Sequence, residues 1–123
     1  MKFLLAQINP TLGDIEGNVA KIKGVVRERA SDVDVIVFPE MCITGYPPQD
    51  LLLYKNFIKK ATAATFDVAN SVVDTVVIIG NVRISTDCDM YNSAFVIQNK
   101  AVIGFQDKSL LPSYDVFDEK RYF

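Results

Sequence analysis

Histidine is missing altogether from this sequence of 123 residues. Its absence removes the Ser-His-Asp triad, the Cys-His dyad and every histidine metal site from the chain. Proton transfer here has to run through carboxylate, lysine, tyrosine or thiol. Cysteine is scarce, with only Cys42 and Cys88, in a number and spacing that fit neither a disulfide framework nor a zinc site. A reducing compartment, the cytoplasm, is the expectation that follows. Positive charge is not in excess either, with Lys+Arg 13 against Asp+Glu 15 and a net charge of -2. That leaves no basic footprint for nucleic acid or an anionic membrane. No apolar run approaches the ~20 residues needed to cross a bilayer. The N-terminal MKFLLAQINP has too short an apolar run for a secretory signal and reads as a buried strand. A glycine-rich phosphate loop is lacking too, because Gly13 and Gly17 do not have its spacing.

What is present suits one globular domain, since 50% of the residues are apolar, too many for a disordered chain. Residues 3–9 read as the first strand, with Pro10 and Gly13 punctuating the loop behind it. From Gly17, apolar Val19, Ile22, Val25, Val26 and Ala30 recur at helical spacing. The run 34–38 reads as a buried strand stopped by Pro39. After a loop over 39–50, Asp50 is the expected N-cap of a second helix running to about Ser71. Its inner stripe is Leu53, Phe57, Ala61, Ala64 and Val68. Residues 75–79 form a strand apolar at both parities, with 81–84 as its extension beyond Gly80. A polar turn at 85–89, a strand over 91–97 and a tight Asn99-Lys100 connection to 101–106 predict a hairpin. The order strand-helix-strand-helix-strand-hairpin gives an α/β fold with a mixed sheet.

Several residues could carry chemistry. Glu40 sits at the C-terminal end of a buried strand, the edge where open α/β sheets bind ligands, and a carboxylate there is placed to act as a general base. The plainer alternative is a loop glutamate that caps the next segment or pairs with a lysine. Lys108 follows the hairpin and could donate hydrogen bonds to a developing oxyanion; an exposed loop lysine is the commoner case. Tyr46, Tyr114 and Phe117 could line a small pocket or belong to the core. The run Asp118-Glu119-Lys120-Arg121 reads as a solvated charge cluster or a salt-bridge network. Cys42 lies beside Glu40 rather than across a substrate from it and reads as a buried, inert thiol. Cys88 sits between Asp87 and Asp89, whose charges disfavour a thiolate.

Four stretches together resemble the carbon-nitrogen hydrolase (nitrilase) superfamily, and within it the glutaminase domain of glutamine-dependent NAD synthetases. They are Ala6-Gln7-Ile8-Asn9-Pro10-Thr11-Leu12-Gly13-Asp14 with Gly17-Asn18, Phe38-Pro39-Glu40 through Thr44-Gly45-Tyr46-Pro47-Pro48-Gln49-Asp50-Leu51-Leu52, and Tyr91-Asn92-Ser93-Ala94. The fourth holds Lys108, Leu111-Pro112, Tyr114 and Val116 through Phe123. The resemblance implies an α-β-β-α sandwich with a Glu-Lys-Cys triad, of which residues 1–123 are the N-terminal portion. In that reading Glu40 is the general base and Lys108 the transition-state lysine. Tyr46, Tyr114 and Phe117 shape a glutamine pocket, and Glu119 supports the site. The substrate is glutamine, whose ammonia serves ATP-dependent amidation of nicotinic acid adenine dinucleotide. ATP and magnesium act in a synthetase domain absent from this chain, so no cofactor is expected here.

By the same resemblance the nucleophilic cysteine lies some tens of residues beyond Lys108. The chain alone is therefore expected to be inactive, with the sandwich completed by the remainder of the enzyme or by another chain, and with self-association into a homo-oligomer. Two other readings stand beside this one, an amidase of the same superfamily with a different substrate and a non-catalytic binding or assembly module. An apolar sheet face left bare by a partial sandwich would favour association or poor solubility.

Overall fold

The structure, a computed structural model, describes residues Met1–Phe123. Strands β1 (Phe3–Leu5), β2 (Val35–Val37), β3 (Val76–Ile84), β4 (Met90–Gln98) and β5 (Ala101–Asp107) form one five-stranded sheet in sequence order. The helices are α1 (Ile15–Arg29) and α2 (Lys55–Ala69). β1, β2 and β3 are parallel, because each connection between them contains a helix long enough to cross over the sheet. β3, β4 and β5 are joined by short turns and therefore run antiparallel. The mixed sheet with two helices is the α/β fold that the sequence predicts. Neither helix is long and apolar enough to cross a membrane.

Side chains alternate across a strand, so each row of paired residues faces one side. The row Leu4, Ile36, Val77, Ile97 and Val102 packs with Val19, Ile22 and Val26 of α1 and Ala64 and Val68 of α2 in the main core. Asn81 on the same side is fully buried, and its Nδ2 donates to the Ala61 carbonyl at 2.7 Å and to Thr65 Oγ1 at 2.9 Å on α2. The next row, Leu5, Val37, Ile78 and Val96, faces the other way and is less covered. Leu5 is 75% exposed, as is 60% of Phe3 two residues before it.

Local chemistry explains where the elements depart from expectation. β1 ends at Leu5 rather than at 9, because the backbone turns on itself, with Gln7 N–H donating to the Leu5 carbonyl and Ile8 N–H to that of Ala6. α1 begins before Gly17, at Ile15, where Asp14 caps it by accepting from the Gly17 N–H at 3.0 Å. Asp50 is not the N-cap of α2. Residues Gln49–Leu53 form a separate 3-10 turn, and α2 starts at Lys55 after an extended Tyr54 that makes no side-chain cap. Asp50 instead accepts from the Tyr122 hydroxyl, 72 residues away. Leu53 leaves the inner stripe with it and is 63% exposed, while Thr65 joins Ala61, Ala64 and Val68 inside. The β4–β5 hairpin forms with Asn99 at φ 51 and Lys100 at φ 61, the positive values that this tight turn needs. Its two N–H groups donate to the carbonyls of Val73 and Val72, which pins the hairpin beside the end of α2.

One buried side chain holds the loops that carry the site. Asn18 on α1 accepts from Thr11 N–H at 2.7 Å and donates to the carbonyls of Thr11 at 2.8 Å and Ile43 at 2.9 Å. Asn18→Ala is expected to lower stability by roughly 2–4 kcal/mol, because it deletes three bonds and leaves the carbonyls behind it unpaired. Urea unfolding monitored by far-UV circular dichroism measures it, and an unchanged midpoint would mean the loop is held by other contacts.

Candidate active site

Glu40 is delivered by the end of β2. Phe38 still donates to the Ile78 carbonyl at 2.8 Å, and Pro39, with no N–H to continue the ladder, releases the chain from the sheet. The released backbone drops onto β3 at Gly80. A Cβ there would lie 2.6 Å from Met41 N and 2.7 Å from Glu40 Cα, so only glycine admits this approach. Gly45 closes the same loop at φ 79, where a Cβ would lie 2.6 Å from Leu12 Cα. Within the loop the chain turns at Met41 (φ 49). Glu40 and Cys42 therefore do not share a face as an extended segment would have it. Glu40 points to the cleft and Cys42 into the core.

Lys108 follows β5 directly. Its N–H donates to the Asn92 carbonyl at 2.8 Å, which fixes it against β4. The preceding Asp107 is tethered by Arg83 through two bonds of 2.8 and 2.7 Å and by the Ser93 hydroxyl. The Arg83 guanidinium holds the Asp107 carboxyl below the usual carboxylate range. From this anchored point the Lys108 ammonium reaches Glu40 Oε1 at 2.9 Å and Glu119 Oε1 at 3.1 Å. Burial works against its charge, but the hydrogen bonds and charges of Glu40 and Glu119 outweigh burial and hold the ammonium above the usual lysine range.

Glu119 comes from the last 3-10 turn, Glu119–Arg121, and is 5% exposed. It is thus separated from its neighbours Asp118, Lys120 and Arg121, which stay at the surface, where Arg121 approaches Asp50 and Asp118. Asp118, Lys120 and Arg121 are the solvated part of the expected run, whereas Glu119 is buried and ion-paired with Lys108. Tyr46 donates its hydroxyl to Glu119 Oε1 at 2.7 Å. Burial, together with the adjacent Glu119 carboxylate, pushes the Tyr46 hydroxyl well above the usual tyrosine range, so it stays a donor. Phe117 bridges the aromatics, with its ring centroid 6.3 Å from Tyr46 and 5.7 Å from Tyr114. All six residues singled out in the sequence thus come together at one end of the sheet. A cavity of about 350 Å³ opens beside them on the less covered face, lined by Val37, Pro39, Glu40, Gly80, Asn92 and Lys108.

Asn92 and Gly80 belong to this site and were not singled out. Asn92 lies inside the Tyr91-Asn92-Ser93-Ala94 stretch, but an asparagine within a strand has no local signature of function. Gly80 lies between the expected strand over 75–79 and its extension over 81–84, and β3 runs through it. Cys42 is fully buried, its Sγ donating to the Gly80 carbonyl at 3.4 Å, and burial pushes its thiol up to about 12. Cys88 is exposed in the β3–β4 turn. A thiol reagent at pH 8 is expected to titrate Cys88 alone in the native chain and both thiols after unfolding in denaturant, because only a thiolate reacts. Two reactive thiols in the native chain would contradict the burial of Cys42.

A Pro-released glutamate and a strand-end lysine meeting on a mixed sheet define a class, and the sequence matches it at large. The carbon-nitrogen hydrolase family pattern covers residues 5–123, and the chain belongs to that family. Within the class, the chain is similar to glutamine-dependent NAD(+) synthetases. It is 40% identical over 123 residues to that of Aquifex aeolicus, covering 100% of this chain and 22% of the relative. The Thermotoga maritima synthetase is 40% identical over 126 residues, again with 100% of this chain and 22% of the relative. The solved synthetase of Acinetobacter baumannii superposes with a TM-score of 0.91 at 42% identity, over 99% of this chain and 23% of the other. An N-terminal amidase superposes with a TM-score of 0.63 at 23% identity, a likeness of fold alone. The chain therefore spans less than a quarter of the length of the synthetases it matches.

Proposed function

We propose that this chain carries the general base and the charge-stabilising lysine of a glutamine-hydrolysing site within a larger, cytoplasmic enzyme that makes NAD. The observation that carries the reading is the Lys108 ammonium between Glu40 and Glu119, at 2.9 and 3.1 Å, at the mouth of an apolar cavity. Residues 1–123 act as the N-terminal portion of the glutaminase domain. The attacking thiol comes from polypeptide outside these residues, since Cys42 is buried in the core and Cys88 sits in the β3–β4 turn. Glu40 takes the thiol proton, and sulfur attacks the side-chain amide carbon of glutamine. The carbonyl oxygen becomes an oxyanion, which Lys108 stabilises from a fixed position. Collapse expels ammonia and leaves a thioester that water hydrolyses, with Glu40 relaying the proton in each half-reaction. Tyr46, Tyr114 and Phe117 wall the glutamine side, and Glu119 keeps Lys108 charged and aimed. The ammonia is used elsewhere in the enzyme to amidate nicotinic acid adenine dinucleotide, where ATP and magnesium act. Without that remainder the 123-residue chain is inactive.

The test uses the complete enzyme that contains this chain. Glu40→Gln and Lys108→Met are each expected to lower ammonia release from glutamine by about 100-fold or more, with NAD synthesis from added ammonium salts left near wild type. Loss of both activities together would point to a folding defect, which circular dichroism and thermal melts distinguish. A wild-type enzyme that releases ammonia from a different amide and not from glutamine would move the assignment to another amidase of the family. Addition of the missing polypeptide in trans is expected to raise activity of the 123-residue chain from none, and to lower its light-scattering signal as the exposed Phe3 and Leu5 become covered.

A further inference from the structure

Both donors that reach Glu40 converge on a single oxygen. Lys108 Nζ and Asn92 Nδ2 each donate to Oε1, at 2.9 and 2.5 Å, and no donor of the chain reaches Oε2. A carboxylate accepts and cannot donate, so the nitrogen end of the Asn92 amide must face it. Asn92 is almost fully buried, while the Glu40 side chain is 45% exposed on its other side. The same residue also receives the Lys108 N–H on its backbone carbonyl at 2.8 Å. One position on β4 therefore fixes the base through its side chain and the lysine through its main chain.

We infer that Asn92 is a positioning residue that, with Lys108, occupies Oε1 of Glu40 and so reserves Oε2 as the oxygen that exchanges the proton. This rests on the glutaminase reading and goes beyond it by assigning the proton to one atom. In the attack step the S–H bond breaks, the proton moves to Oε2 and the electron pair left on sulfur forms the new S–C bond. A carboxylate rotating freely about its last torsion would present either oxygen. Two donors on Oε1 remove that freedom before substrate arrives. The ionisable groups around Glu40 are Lys108, Glu119 and Tyr46, and substitution of Asn92 leaves all three in place.

Asn92→Ala and the near-isosteric Asn92→Asp, made in the complete enzyme, test this. Both are expected to lower kcat for glutamine hydrolysis by about 10- to 100-fold, part of what the base itself contributes, with KM close to wild type. Asn92→Asp is expected to be the worse of the two, because it sets an acceptor against an acceptor. Ammonia-dependent NAD synthesis near wild type reports an intact fold. Equal losses in the two variants, with KM altered as much as kcat, would reduce Asn92 to a structural strand residue and overturn the inference. Wild-type kcat in both variants would overturn it as well. If the wild-type enzyme releases no ammonia from glutamine, the functional reading fails first and this inference goes with it.

Discussion

The site depends on one cation held by two anions from distant parts of the chain. The Lys108 ammonium joins Glu40, 68 residues before it, to Glu119, 11 residues after it. Of the three, Glu119 is the most deeply buried, and a carboxylate taken out of water is tolerable only when a charge or donors compensate it. Lys108 and Tyr46 supply that compensation. Such an arrangement adds little net stability, because desolvation offsets much of the attraction. What it provides is placement. Each side chain has its alternatives removed by the others, and the ammonium is left charged at the cleft.

The sheet makes this placement possible by bringing the ends of β2, β4 and β5 to one edge, with β3 between β2 and β4. β2 ends at Val37, Pro39 lets Glu40 leave the sheet, β4 carries Asn92, and β5 ends in the tethered Asp107 just before Lys108. The Arg83–Asp107–Ser93 cluster on the opposite side keeps that last strand end from fraying. The aromatic cluster of Tyr46, Tyr114 and Phe117 comes from two loops that meet where Tyr46 and Lys108 both donate to Glu119. Fold and site are consequently one construction, in which loops are held by strand ends and strand ends by buried polar side chains.

Much of this was legible in the sequence, for physical reasons that differ between elements. α1 and the β3–β5 strands announce themselves by apolar period and turn chemistry, which are local properties. Glu40 could be noticed because a proline ends the strand before it. Lys108, Tyr46, Tyr114, Phe117 and Glu119 gave no such local sign and stood out only through the family resemblance. Asp50 misled, because its best local role was a helix cap while its actual partner, Tyr122, lies far along the chain. Asn92 went unnoticed for the opposite reason. Its side chain meets Glu40 across 52 residues, and no window of neighbouring sequence contains that meeting.

The bare α-carbon at position 80 has a consequence for how this scaffold can vary. The strand beneath Glu40 touches the loop above it atom on atom, with a prospective methyl only 2.6 Å from the Met41 nitrogen. Neighbouring positions on β3 can exchange one β-branched side chain for another at small cost, since they face packed side chains that shift. Position 80 faces backbone, which does not. Any enlargement there would lift the glutamate away from its ammonium and reopen the choice between its oxygens. The position of the Glu40 carboxylate is thereby set from below, by the thickness of a naked peptide.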